Sequence, residues 1–306
     1  MPGKAKIAAV THARKDNFFL GLWLKHYGTE LGYENCHILL DGSDWTPDIN
    51  FGDAVTHIVE RPNQNMHRIR VDRRMARLQL ELIDHLFFEQ GYDYVFRGDC
   101  DEYVISEPES GTSFKDLVTE ADAVGYVYSS GVDVIQNTKY ENDLVPTKSI
   151  LSQRSYGLIS QSYCKVNLLS RKARVDGITF NAGGHRASGN AVKMSHNYYM
   201  FHLGWSDMKL LRQRISPRFE NDRGNSFSDY LNTRQAIFAA VADQPDFADF
   251  DEHMKIARLE IATRSGHPAL QAQKLSAGNF FWADQHGWAV HIPKRFNESL
   301  PLNAEE

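Results

Sequence analysis

At 306 residues the chain is long enough for one large domain or two modest ones, each with a sizeable core. A composition of 42% hydrophobic and 24% charged residues is that of an ordinary soluble globular protein, and a formal charge of −5 gives no general attraction to nucleic acid or to an anionic membrane. Cys36, Cys100 and Cys164 are widely spaced without a CxxC pair, which argues against both a zinc site and a disulfide framework. The N-terminal MPGKAKIAAVTHARKD has too short an apolar run for a signal peptide, and no later stretch approaches ~18 uninterrupted apolar residues. The expected setting is a reducing cytoplasm, with peripheral contact at the inner face of a membrane left open.

Taken in order, Lys6–Thr11 (KIAAVT) is a short apolar run of the kind a buried parallel strand needs. A polar loop, His12–Asp16, leads to Asn17 as the expected N-cap of a helix ending near Gly32. Asn35–Leu40 (NCHILL) is a second strand that runs into the turn Asp41–Gly42–Ser43, and Ala54–Val59 is a third, closed by Pro62. Arg68–Gln90 is a long helix, basic at its start and apolar later. Its Arg70, Arg73, Arg74 and Arg77 are spaced i, i+3, i+4, i+7 and share one stripe, either a solvated face or a surface for phosphate, with Arg73 or Arg77 favoured for ligand contact.

The stretch Tyr92–Val104 follows: an apolar and aromatic strand running into Asp99–Cys100–Asp101–Glu102. In an extended segment Asp99 and Asp101 point to the same side, and two hard oxygen donors facing one point suit Mg²⁺ or Mn²⁺. The competing reading is an acidic turn at a strand end. Asp101 is the favoured direct ligand, with Asp99 as a second ligand or as a partner of a bound ribose or sugar. Glu102 is read as structural support.

Beyond the acids, Ser113–Glu120 is expected to be a short helix and Asp122–Tyr128 a strand. Ser129–Ser162 is polar and aperiodic, and is read as a loop over a site. Tyr163–Leu169 is a further strand, Phe180–Gly189 a glycine-punctuated turn, and Tyr198–Leu203 an aromatic strand before a helix that reaches Ile215. After Pro217 the expectation is mainly helical, with Tyr230–Val241 and Phe250–Arg264 as helices and Trp282–Pro293 as an aromatic strand or loop. The β-α-β-β-α-β order argues for an α/β fold, whose ligands bind outside the carboxyl ends of the strands. Thr11–Arg14, Asp41 and Asp99–Asp101 all fall at such ends.

This order resembles the family-2-like glycosyltransferases of the GT-A fold, in the branch whose acid motif extends to D-x-D-E followed by an aromatic. Here the motif stands as Asp99–Cys100–Asp101–Glu102–Tyr103. FLGLWLKHYGTELG after the first strand, HILLDGS at the second, Gln79 in the long helix, Lys165 in YCKV, His185 in GGHRA and His202 in MFHLGWSD fall in the order of that branch. The likeness runs from about Lys4 to Ile215, and departs from the pattern at THARKD and at Cys100. It implies a Rossmann-like, mixed, mostly parallel sheet with flanking helices, forming a catalytic domain over 1–215, and a mainly helical extension over 216–306.

What the resemblance implies in function is transfer of a sugar from a nucleotide diphosphate sugar, UDP-sugar by preference, to an acceptor hydroxyl of a glycan or glycolipid. Mn²⁺ or Mg²⁺ on Asp99 and Asp101 would answer the charge on the leaving diphosphate. A later histidine often completes the ligand set, and His202 is the candidate, with His185 as the alternative. Asp41 would hold base or ribose, Thr11, His12 and Arg14 would line the nucleotide cleft, and Lys165 is added to the donor set. An inverting transfer also needs a base, for which Asp133 and His185 lead over Asp176, Glu220 and Asp222. No nucleic-acid partner is expected, and a homo-oligomer is left open. A nucleotidyltransferase is the second reading, disfavoured because THARKDN lacks the glycines of a phosphate loop. A non-catalytic glycan-binding protein on the same fold is the third.

Overall fold

The computed structural model describes residues 5–61, 68–160, 163–189, 192–219, 235–236, 238–239, 241–244, 246–263, 281–282 and 285–302. The fold is mixed α/β. In chain order its elements are β1 (Ile7–Ala13), α1 (Asn17–Leu31), β2 (Cys36–Asp41), β3 (Val55–Val59), α2 (Arg68–Phe88), β4 (Tyr94–Arg97), β5 (Glu102–Ser106) and β6 (Tyr126–Ile135). There follow α3 (Ile150–Gln153), β7 (Tyr156–Ser160), β8 (Val166–Ser170), α4 (Arg171–Val175), β9 (Met194–Trp205), α5 (Met208–Phe219), α6 (Phe250–Thr263), β10 (Phe281–Trp282) and β11 (Gln285–His291).

The chain forms two compact units, Met1–Ser129 with Lys165–Tyr198, and Ser130–Cys164 with Tyr199–Glu306. The expected division at 215/216 is therefore corrected. Both β6 and β9 give their first residues to one unit and their last to the other, and α5 continues past Pro217 instead of ending before it. The strand expected within Trp282–Pro293 is present as β11, which pairs antiparallel with β7 and with β10.

In the first unit β3, β2, β1 and β4 are parallel neighbours, with Ala9 opposite Cys36, His37 opposite Val55 and Ile7 opposite Tyr94. Antiparallel β8 continues the sheet beside β4, and Tyr126–Tyr128 of β6 lie beside β8. β2 is buried along its whole length and β1 almost so, as strands covered on both faces must be. Both α1 and α2 pack on β1. The N-cap of α1 is Asp16, not Asn17: its Oδ1 accepts the Phe19 N–H at 3.1 Å, one of the donors a helix start leaves unpaired. Gly32 closes that helix as expected, its N–H donating to the Gly28 carbonyl.

In the second unit the later part of β6 pairs with β7, which pairs with β11. Ile135, Leu158, Trp205, Leu211, Phe238 and Val241 form an apolar cluster. Arg154, 1% exposed, donates to the Ser206 carbonyl and to Asp207 Oδ2, while Asp207 Oδ1 accepts the Lys209 and Leu210 N–H groups at the start of α5. One buried ion pair thereby holds the end of β9 and the head of α5.

Three local expectations change. Leu117–Ala121 is a 3-10 turn, not a helix over Ser113–Glu120. Ser129–Ser162 is not a loop throughout: β6 runs ten fully buried residues to Ile135, and α3 and β7 follow. Its serines and aspartate read as solvated in the sequence, yet Ser129, Ser130 and Asp133 are each 0% exposed, because Asn167, Arg258 and His202 satisfy them. The helix expected over Tyr230–Val241 lies partly outside the described residues; 235–236, 238–239 and Val241 are helical.

His26 of α1 is enclosed by the rings of Tyr27, Tyr103 and Phe114, and its Nε2 donates to the Val104 carbonyl at 2.8 Å. Burial lowers its pKa from 6.5 to about 4, against the raising effect of that bond. The unfolded chain therefore takes up a proton below pH 6.5 that the folded chain refuses until about pH 4. Stability is full above pH 6.5 and declines as the pH falls toward 4, by up to about 3 kcal/mol from this group. Denaturant titrations across that window should show a shallower decline for His26→Gln than for the wild type; equal slopes would remove His26 as the cause.

Candidate functional site

The parallel strands deliver their carboxyl ends to one place in the first unit. Thr11 is fully buried and its Oγ1 donates to the Gly98 carbonyl at 3.1 Å, so it ties β1 to the acid turn. Gln79 of α2, 1% exposed, donates from Nε2 to the same carbonyl at 3.2 Å and to His12 Nδ1 at 2.9 Å. Its Oε1 accepts Arg97 Nη2 at 2.8 Å and Nε at 3.3 Å. A guanidinium can only donate, so the amide orientation is determined, and His12 is an acceptor at Nδ1.

Asp99–Glu102 is a tight turn closed by Glu102 N–H donating to the Asp99 carbonyl at 3.0 Å. The expected extended geometry, with two acids on one side of a strand, is thus replaced by a turn at the carboxyl end of β4. Glu102 is the buried support of that turn: Oε2 accepts the Asp99 N–H at 3.2 Å and Oε1 is ion-paired with Lys165. Lys165 Nζ lies 3.7 Å from Asp99 Oδ2, and His12 Nδ1 lies 3.7 Å from Asp99 Oδ1. Burial works against ionisation of Asp99, but the Lys165 and Arg97 cations help to hold its pKa below the carboxylate value, with Asp101 pulling the other way. Burial likewise lowers the Lys165 pKa, and Glu102 and Asp99 more than restore it.

Asp99 and Glu102 lie against Arg97 and Lys165, and Asp101 stands beside Asp99. Asp99 keeps 35% of its side-chain surface exposed. Two hard carboxylates on one turn, one of them open to solvent, fit a Mg²⁺- or Mn²⁺-type ion that completes its shell from a ligand and water. Among the described residues no group of three or more His, Cys, Asp or Glu side chains is gathered for a metal.

At the end of β2 cations gather instead. Asp41, 2% exposed, accepts Arg61 Nη1 on Oδ2 and Arg74 Nη1 on Oδ1, each at 2.8 Å. Arg14 Nη1 donates to the Asp41 carbonyl at 2.5 Å and its fork grips Asp44 at 2.8 and 2.9 Å. Four cations, Arg14, Lys15, Arg61 and Arg74, thus surround Asp41 and Asp44. Gly42 has φ +103, and a Cβ there would lie 2.6 Å from Arg14 Nη1, so glycine lets the arginine approach. Arg73 and Arg77, favoured from the stripe, are exposed, and Arg77 pairs only with Glu81 at 3.6 Å. Arg74 is the stripe member that reaches the strand ends, and Arg61 was not foreseen at all.

The two base candidates separate. His185 follows Gly184, whose hypothetical Cβ would collide with Arg97 Nη1; the glycine turn packs on the arginine behind the acid turn. In the second unit Asp133 and His202, expected as base and metal ligand, are one pair: His202 Nδ1 donates to Asp133 Oδ1 at 2.7 Å, and the Tyr163 ring stacks on the imidazole at 4.4 Å. Asp133 thereby orients His202 and fixes which nitrogen carries the proton. Asp176 is exposed and lies 3.9 Å from Lys172, a surface contact. Glu220 and Asp222 lie outside the described residues.

No protein-family profile matches the chain, and no curated protein matches it. Among solved structures the chain is similar to mannose-1-phosphate geranyltransferase from Thermus thermophilus, with 9% identity, 83% of this chain and 68% of that chain covered, and a TM-score of 0.23. A likeness at that level carries no weight for fold or function, which rest on the residues above. No helix among the described residues is long and apolar enough to cross a membrane.

Removing Lys165 would take the lysine counter-charge from Glu102, 1% exposed in its side chain. Lys165→Met should cost roughly 3–5 kcal/mol in denaturant unfolding, and adding Glu102→Gln should restore most of it. Equal losses in the single and double variants would mean that the pair is not what holds the turn.

Proposed function

We propose that this protein is a transferase that uses a nucleotide diphosphate sugar, a UDP-sugar by preference, and passes the sugar to an acceptor hydroxyl of a glycan or glycolipid. The observation that carries the reading is the acid turn Asp99–Glu102 at the carboxyl end of β4, with Asp99 open to solvent. Ligands of parallel α/β sheets bind at such ends. In this reading Asp101 and Asp99 hold Mn²⁺ or Mg²⁺, which supplies positive charge to the diphosphate leaving group. Glu102 and Lys165 keep the turn in place. Arg14, Arg61 and Arg74 offer guanidinium forks to anionic oxygens of the donor, and Asp41 organises them rather than contacting the nucleotide itself.

His202 and Asp133 take a joint role in place of the separate ones expected for them. Within the second unit Asp133 positions the His202 ring, so the two act as one pair.

Calorimetric titration with UDP in Mn²⁺ and in chelator tests the reading. Wild type should bind at least tenfold more tightly with metal, Asp101→Asn should lose that gain, and Arg74→Gln should weaken binding with and without metal alike. Metal-independent binding, or a gain untouched by Asp101→Asn, would sink the acid turn as the metal site. Release of sugar from a panel of nucleotide sugars then separates an enzyme from a binding protein.

A further inference from the structure

Arg258, on α6 of the second unit, is 8% exposed. Its Nε donates to Ser130 Oγ at 2.6 Å, and its guanidinium carbon sits 4.9 Å from the centre of the Tyr199 ring. Nη2 is buried and has no hydrogen-bond partner. Among the described residues no carboxylate lies within ion-pair reach of this guanidinium. The other buried arginines differ: Arg154 pairs with Asp207 at 3.1 Å, and Arg97 feels the charges of Asp99 and Glu102.

Among the described residues the surroundings supply no counter-charge. Ser130 and Tyr199 are 0% and 4% exposed, and the Tyr199 ring packs against Phe250 and Phe296 at 5.8 and 5.3 Å. Burial pushes the Cys164 thiol up to about 11 despite the lowering influence of Arg258, so the thiol is neutral. Asp133 is three residues from Ser130 on β6, which turns it to the opposite face, and it is bonded to His202. One hydroxyl and one ring face replace only part of the hydration that a guanidinium gives up on burial. The shortfall and the orphaned Nη2 point the same way.

We propose that Arg258, Ser130 and Tyr199 form a binding site in the second unit for a small oxyanion group, a carboxylate or a phosphate. Nη2 donates to one oxygen of the group, and the Ser130 hydroxyl, which accepts from Nε, donates its own proton to the anion. The Tyr199 ring covers the guanidinium face. The site is independent of the acid turn, so its failure leaves the nucleotide-sugar reading untouched.

Thermal unfolding of the full chain in chloride, acetate and phosphate at matched ionic strength tests it. The midpoint should rise saturably with acetate, with phosphate or with both, relative to chloride. Acetate alone assigns a carboxylate, phosphate alone a phosphate ester, and both a general oxyanion site. Arg258→Gln should abolish the rise while leaving stability in chloride equal to wild type or higher, because it removes an unpaired charge. Should Arg258→Gln not fold, Ser130→Ala carries the test and should raise the half-saturating concentration roughly five- to ten-fold. No saturable rise in wild type, or a rise that both variants keep, overturns the proposal.

Discussion

The ion pair between Glu102 and Lys165 is the constraint on which the candidate site depends. Each side chain is almost wholly buried, at 1% and 4% exposure, and two ions removed from water are tolerable only in contact with each other and with further polar groups. Glu102 gives its second oxygen to the Asp99 N–H, which fixes the acid turn to the sheet. Lys165 sits at the mouth of β8 and reaches both Glu102 and Asp99, so a residue far along the chain sets the charge of the turn. The turn is consequently a rigid part of the first unit and not a surface loop that happens to be acidic.

Around it the strand ends differ: acids gather at the end of β4 and guanidiniums at the end of β2, on either side of β1. Each is built on a buried organiser. Gln79 and Arg97 lock the backbone and imidazole beneath the acids, and Asp41 gathers Arg61 and Arg74. Gly42 and Gly184 are needed where guanidiniums come closest to the backbone, since a Cβ at either would meet Arg14 or Arg97. The second unit treats charge differently, binding Asp133 to His202 and Arg154 to Asp207 while leaving Arg258 with only a hydroxyl and an aromatic face.

Much of the first unit was legible because its signals are local. The apolar runs of β1, β2 and β4, the Gly32 cap, the strand-end position of Thr11–Arg14, Asp41 and Asp99–Asp101, and the supporting part of Glu102 all follow from short-range pattern. The errors share one cause. Ser129, Ser130 and Asp133 look like loop residues until Asn167, Arg258 and His202 are seen beside them, and β6 was accordingly cut short. Arg73, Arg74 and Arg77 are indistinguishable on a helical stripe, since only the direction in which α2 lies on β1 selects Arg74. Asp133 and His202 were assigned separate roles because 69 residues of chain separate two groups that are 2.7 Å apart.

By itself the sequence determined that the chain is an α/β protein with an acid cluster at the end of a central strand. Strand burial, helix caps and turn residues act within a few positions of one another, and that is enough to specify elements and their ends. The tertiary structure alone decided which charges neutralise which, where the chain divides, and which polar residues are buried. Those outcomes depend on desolvation and on hydrogen bonds between distant segments. The acid turn shows the difference: Asp99, Asp101 and Glu102 are close in sequence, but only the fold brings Lys165 and Arg97 against them.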